Sequence, residues 1–586
     1  MNYQDIKNTA TANINKLKKI SNQISILRLI LFIAIVISLY FIIGYEYSLN
    51  PVLGLLVSVA LFIAAINYHQ VISKRIEYDE MLSEICEREL IAIQNGINTH
   101  FNNGDAYKDS HHCFTYDLDI FGDKSVFQLL NRTFTLSGRN LLASQLKELF
   151  DDKNTLLLRQ QAILELKDKT DWRVNFLTLG NLLQENNAQF NGLQTWLSQA
   201  ADNSFEKFKN LVWLTPLLNT VLLLCWILGI INYQIFSVLF LLQLSFWGIY
   251  RKQINLLYGG IQQQASIIGR YNAIFQFIEK GNFQSELILY KQVVLKDIAG
   301  KIQPLTKIIR IFDLSKNPLG FPFFILFYGG LPCAYRFEKW KKENSQALLQ
   351  AFDVLHELEV LVGIASFAAA NPAYIIPEIS EKTLLKSTKI GHPLITKEKR
   401  ISNDFAVNEQ FYIVTGANMA GKSTFLRSVG VNLVLAMIGS PVCAEQFVFK
   451  PLQLFTCMRV TDSISDGESY FHAELSRLSS IVHESEKGKD MFIILDELLK
   501  GTNSKDKLLG SELFIERLLQ FTNTFGMIAT HDLDLTNLAT KYPQIKNICF
   551  EVIIENDKML FDYQLKEGVT QNMNAIFLMK QMGIIS

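Results

Sequence analysis

Hydrophobic and polar positions follow two regimes along this chain, and the change falls near residues 370–380. Before it the pattern is helical. Apolar residues recur three and four apart in VFQLLNRTF and LLLRQQAILEL, between Asp117 and Lys209, and again over Leu256–Leu314 and Lys339–Phe367. Residues 76–110 read as a helix followed by the polar loop Asn102-Asn103-Gly104-Asp105. After Asn371-Pro372 and Ile376-Pro377, short β-branched runs (FYIVTG, MFIILDE, FGMIAT, CFEVII) alternate with helical stretches, as in a parallel sheet flanked by helices. The pattern predicts strands over Phe411–Val414, Met491–Glu497 and Ile528–His531, and helices over Thr424–Met437 and Tyr470–Glu484. No solenoid-type repeat or low-complexity tract is present.

Two parts of the helical regime are too apolar for a soluble helix. Leu29–Tyr45 carries no charge, Tyr47–Ser73 carries no Asp, Glu, Lys or Arg, and a turn-like segment around Asn50-Pro51 separates them. Each arm approaches the roughly 20 residues that span a bilayer. A second pair of crossings fits between Lys209 and Arg251, broken at Asn232-Tyr233-Gln234, with Trp213, Tyr233, Trp247 and Tyr250 near its ends. Basic residues flank both hairpins: Lys16, Lys18, Lys19 and Arg28 before the first, Lys74 and Arg75 after it, Lys207 and Lys209 before the second, Arg251 and Lys252 after it. The positive-inside rule puts all these flanks in the cytoplasm. The expectation is a multi-pass protein of the cytoplasmic (inner) membrane, with spans near 26–45, 51–70 and 211–250 and its remaining mass in the cytosol. No small-residue cleavage pattern marks a signal peptide. Asn317–Tyr335 is also apolar, but its three Pro and three Gly predict an interfacial or buried loop.

Composition agrees. The 586 residues suffice for two to four domains, 49% are hydrophobic and only 19% charged. Formal net charge is zero, so no global electrostatic footprint marks a dedicated nucleic-acid binder. Seven cysteines lie scattered without metal-like spacing, as reduced thiols of a cytosolic protein do.

The second regime carries the chemistry. Gly416-Ala417-Asn418-Met419-Ala420-Gly421-Lys422-Ser423 fits G-x-x-x-x-G-K-[ST], follows a predicted strand and opens a predicted helix with Thr424. Small residues let backbone N–H groups wrap phosphates, and the helix amino terminus adds partial positive charge. Lys422 is placed for the β/γ-phosphates of ATP and the Ser423 hydroxyl for Mg²⁺. MFIILDE is an apolar strand ending in two carboxylates: Asp496 as a magnesium ligand through water, Glu497 as the base for the attacking water. His531, at the end of another strand, can donate to the γ-phosphate. Ser469 stands at the start of a helix, where it serves either as a phosphate contact or as an ordinary cap.

In this order the motifs resemble the MutS family of ABC-type ATPases. TGANMAGKSTFLRSVG resembles that family's P-loop, DGESYFHAEL its signature segment, LDELLKGTNSKD its Walker B strand and following loop, and IATHDLDLT its His-containing loop. GHPL and SNDF resemble the strands leading into the ATPase, and residues 117–146 the start of its helical core; the resemblance spans roughly 114–580. It implies a dimer with composite ATP sites, in which Lys422, Ser423, Asp496, Glu497 and His531 of one subunit meet Ser469 of the other. Ala417 and Ala420 replace the usual Pro and Gly, and Leu499-Lys500 the usual Gly-Arg. The mismatch-sensing domain has no counterpart, a membrane hairpin occupies residues 1–100, and no nuclease domain is expected after Gly568.

The expected architecture is therefore multidomain. A membrane-anchoring hairpin covers 1–100, a MutS-like helical core with an inserted hairpin 101–375, and an α/β P-loop ATPase 376–586. Its function would be ATP-driven conformational change of a dimer at a membrane, with DNA an open partner and mismatch specificity not implied. The alternatives are an ABC transporter-like subunit and a soluble mismatch-repair factor whose apolar hairpins are packed core.

Overall fold

The computed structural model describes the chain except residues 1, 45–48, 97–99, 185–186, 200–204, 315–319, 322–323, 325–329, 460–469, 556–557, 572–584 and 586. It divides into two compact units. The first comprises Met1–Glu87, Phe134–Gly138 and Thr170–Glu359, the second Arg88–Thr133, Arg139–Lys169 and Val360–Ser586.

Helices build the first unit. Tyr3–Gly44 and Leu49–Asn95 run antiparallel. The carboxyl end of the one meets the start of the other, where a Cβ on Gly54 would lie 3.5 Å from Ser38 Oγ. Farther along, Ser21 Oγ and His69 Nε2 are 3.0 Å apart, and Lys18 pairs with Glu80 at 2.7 Å. Ile24, Ala65 and Ile72 form the small seam between the helices. Beyond that seam the apolar arms are largely exposed among the described residues. The most apolar windows of the two helices are 0% and 6% buried, with Leu29, Phe32, Ile43 and Leu56 all open. The notion of a packed soluble core does not describe them.

The second apolar region folds as Leu211–Ile227 and Tyr233–Glu279. At 17 residues the former is about 25 Å long, at the short end of what spans a bilayer. Among the described residues, only the first two helices are long and apolar enough to cross a membrane. Most of 317–335 lies outside the described residues, and Gly330–Tyr335 open the helix Gly330–Ala370. The core of this unit is aromatic. Phe352 meets Tyr271 at 4.8 Å and Phe190 at 5.5 Å between ring centroids. The buried Glu359 carboxylate accepts from Thr135 Oγ1 and from the Phe134 and Thr135 amides. VFQLLNRTF yields one short helix, Val126–Leu130, because Asn131 turns its side chain back onto Thr133 and ends it.

Mixed α/β structure makes up most of the second unit. A small sheet has the order β1 (Glu378–Ile379), β5 (Gln446–Phe449), β2 (Leu385–Ile390), β3 (Asn403–Ala406). The larger one has the order β10-β9-β4-β8-β7-β6, from β4 (Phe411–Gly416), β6 (Gln453–Cys457), β7 (Met491–Asp496), β8 (Thr524–Ala529), β9 (Ile545–Glu555) and β10 (Lys558–Glu567). Only β10 is antiparallel to its neighbour. The central strands read as continuous apolar runs because both faces are covered; β4 is buried throughout. Ile413, Ile493, Leu495 and Ile528 anchor the core on one face.

Candidate functional site

Parallel strands end at one edge of a sheet, and ligands gather there. β4, β8 and β7 are neighbours, so their carboxyl ends bring the three sequence motifs together. After β4 the loop 416–421 turns into the helix Lys422–Met437. Two glycines make that turn feasible. Gly416 has φ 154° and a Cβ there would sit 2.8 Å from the Phe550 carbonyl oxygen, while Gly421 has φ 101° with Tyr563 Cδ1 3.0 Å from its absent Cβ. Met419 also adopts a left-handed conformation, φ 66°.

Lys422 is buried, and its ammonium donates to the carbonyls of Gly416 (2.7 Å) and Ala417 (3.1 Å). Its Nζ lies 3.3 Å from His531 Nε2. The ammonium can donate there only to a neutral imidazole whose proton is on Nδ1. Burial, then the neighbouring Lys422 charge, hold the His531 pKa below its ordinary value. Burial also brings Lys422 down to about 8, against the opposing pull of Asp496 and Glu497.

Asp496 closes β7, and Glu497 follows it with φ 56°. A left-handed glutamate is strained and needs support. The Glu497 amide donates to Ala529 O at 2.9 Å, tying the turn to the end of β8. The Thr530 amide in turn donates to Val414 O at 3.0 Å. The carboxylate of Glu497 is engaged by two lysines: Lys507 at 2.7 Å and Lys500 at 3.8 Å. Burial pushes its pKa up, but the hydrogen bond and charge of Lys507, with Lys500 and His531, carry it below the ordinary value. The next turn is fixed from the helix Tyr470–Ser485, where the buried Glu474 accepts the Leu499 amide at 2.6 Å.

These groups line one cleft of ≈660 Å³. Residues 417–424, Asp496, Glu497, Lys500 and His531 line it, together with Ile395, Ile401, Phe550 and Tyr563. The structure thus brings together Gly416, Ala417, Asn418, Met419, Ala420, Gly421, Lys422, Ser423, Thr424, Asp496, Glu497 and His531. Ser469 lies outside the described residues. Among the described residues no group of three or more His, Cys, Asp or Glu could hold a metal by itself. A cation here would rely on hydroxyl, carboxylate, water and phosphate oxygens, the set that suits Mg²⁺.

Sequence reasoning missed three features. Lys507, one helical turn into Ser504–Leu519, is hidden among other lysines until the fold aims it at Glu497. Tyr563 belongs to β10, far from every motif. Asp117 is fully buried and accepts from Thr456 Oγ1 (2.6 Å), the Met458 and Arg459 amides (3.1 and 2.9 Å) and Arg477 (2.9 Å). Asp119, two residues on, binds Arg459 and Arg427 of the helix Lys422–Met437. The alternation of acids in DLD was the available signal, since isolated acids in an apolar surround need paired cations.

Residues 412–584 match the family model for MutS domain V. MutS protein homolog 4 of Homo sapiens is 32% identical over 244 residues, which is 40% of this chain and 25% of that protein. MutS protein homolog 4 of Mus musculus is 31% identical over the same length and shares. The match spans about a quarter of the length of these curated relatives.

Proposed function

We infer that the chain belongs to the MutS family, on the match of residues 412–584 to MutS domain V, and we propose that it binds and hydrolyses ATP, using the energy to change the conformation of a dimer held at a membrane. One observation carries the catalytic part of this reading: the ends of β4, β7 and β8 bring Lys422, Asp496, Glu497 and His531 around a single cleft behind a glycine loop. A cavity of this size suits a nucleotide. The loop amides, the amino terminus of the helix Lys422–Met437 and Lys422 hold the phosphates. Ser423 and Asp496 hold Mg²⁺, which supplies charge neutralisation when bound. Glu497 takes the proton of the attacking water, His531 positions the terminal phosphate, and the aromatic face of Tyr563 offers a stacking surface for the base. Ser469 of a second copy completes the composite site.

Exchanging Glu497→Gln should leave nucleotide binding intact, stop turnover and stabilise an ATP-bound dimer. Hydrolysis at the parent rate would remove Glu497 from its role.

The exposed apolar arms of Tyr3–Gly44 and Leu49–Asn95 support membrane anchoring. Extraction from cells by detergent and not by salt tests it; release by salt alone refutes it. DNA is a further partner in this reading, and the protein should show little preference for mismatched over matched duplex.

A further inference from the structure

Building on the membrane reading above, we propose that the inner end of the amino-terminal hairpin is a binding surface for anionic phospholipids, with Arg28 as its phosphate contact.

Charge is sorted by depth along this hairpin. From Leu29 to Gly44 on one helix and from Leu49 to Ser73 on the other there is no Asp, Glu, Lys or Arg. The first charge below this belt is Arg28, whose guanidinium carbon stands 5.9 Å over the Phe62 ring of the facing helix. Its Nε is buried with no hydrogen-bond partner, and among the described residues Arg28 forms no ion pair. A buried guanidinium donor without an acceptor is costly, and a planar fork of donors matches phosphate oxygens.

Below Arg28 come more cations before any acid. Lys16 and Lys19 on one helix and Lys74 on the other form no ion pair among the described residues, while Arg75 has Asp79 nearby. Acids enter the second helix only at Glu77, Asp79 and Glu80, and the pairs Lys18–Glu80 and Lys7–Glu87 close the charge farther down. Nine residues separate Lys19 from Arg28, about 13 Å along a helix. With sixteen uncharged residues, about 24 Å of helix, above it, the Arg28 backbone lies at the edge of the apolar layer and its guanidinium reaches the base of the headgroup layer. The lysines stand beyond that layer and reach back toward it on long stems. The occupant that fits is a headgroup carrying net negative charge, because a zwitterionic one returns its positive charge to the same layer.

The test uses the full chain in vesicles of phosphatidylcholine with a minor fraction of phosphatidylglycerol. Spin-labelled forms of both lipids report which contact the protein. Phosphatidylglycerol should associate several-fold more strongly, Arg28→Gln should lower that preference by about fivefold, and Arg28→Lys should restore part of it. A surface triple exchange, Lys16→Gln with Lys19→Gln and Lys74→Gln, leaves the helix seam untouched and should lower it again. Equal association of the two lipids, or a preference unchanged by Arg28→Gln, overturns the inference while leaving the anchor standing. Displacement of the labelled phosphatidylglycerol by duplex DNA overturns it in favour of a nucleic-acid occupant. A chain that fails to float with either vesicle sinks the membrane reading itself.

Discussion

Truncating Asp117 is the sharpest test of how the second unit is held together. Asp117→Ala removes a fully buried carboxylate from four donors, one of them the Arg477 guanidinium, itself 17% exposed. A hydrogen bond to a charged acceptor contributes about 1.5–3 kcal/mol, but these four share one group and do not add. The governing figure is the cost of leaving a buried charge without its partner, about 3–5 kcal/mol. We expect a loss of about 4 kcal/mol for Asp117→Ala and a somewhat smaller one for Asp117→Asn, which keeps one acceptor oxygen but loses the charge and sets an amide donor against the remaining donors. Because the chain has two units, a global melt is not a two-state measurement. Native-state hydrogen exchange at the amides of β6, Met458 and Arg459 reads the local free energy directly. The double variant with Arg477→Met should recover at least about 1 kcal/mol, since both charges are then gone. An Asp117→Ala loss below about 1 kcal/mol, or full additivity with Arg477→Met, would refute this account.

Three further outcomes follow from the site and the helical unit. Lys507→Met should raise basal ATP turnover about fivefold with nucleotide affinity unchanged, because a half-exposed ion pair worth about 1 kcal/mol no longer occupies Glu497; Lys507→Arg should behave as the parent, and a fall in kcat for Lys507→Met would count against it. Gly416→Ala should weaken nucleotide binding at least about tenfold in a titration with a fluorescent analogue, since its Cβ would press on the Phe550 carbonyl at 2.8 Å; unchanged affinity would contradict the geometry. His356 is buried against Phe190 with its pKa lowered by burial to about 4 from 6.5. The unfolded chain therefore takes up a proton below pH 6.5 that the folded one refuses, and stability, complete above that pH, is lost as pH falls toward 4. Protection factors around His356, referred to the intrinsic exchange rate at each pH, should fall across that window, and His356→Phe should abolish the fall.

Much of the second unit was legible because its signals are local. A G-x-x-x-x-G-K-S run between an apolar strand and a helix can adopt few conformations, and the strand at Met491 and the helix at Lys422 lie within two residues of their expected bounds. The order of strands was not legible. That β8 lies between β4 and β7 is set by pairing with strands 115 and 33 residues earlier in the chain, which periodicity does not encode. Asp117 escaped for the same reason, its partners lying some 340 positions away. In the helical unit apolarity was legible and the exact bounds were not: after Lys209 the first helix ends at Ile227, where Gly229, at φ 72°, helps close it.

The position of β8 has a consequence for how the site tolerates change. Main-chain groups at its carboxyl end join the strand before the phosphate loop to the acidic turn: Thr530 reaches back to Val414 on one side, and Ala529 receives Glu497 on the other. A relay built from peptide groups is indifferent to which apolar side chains decorate it. A library of apolar exchanges of similar volume along Thr524–Ala529 should therefore be permissive at most positions and intolerant at Gly526, where any Cβ would stand 2.7 Å from the Ile493 carbonyl oxygen. Apolar drift in this strand would leave the main-chain link between β4 and the acidic turn intact.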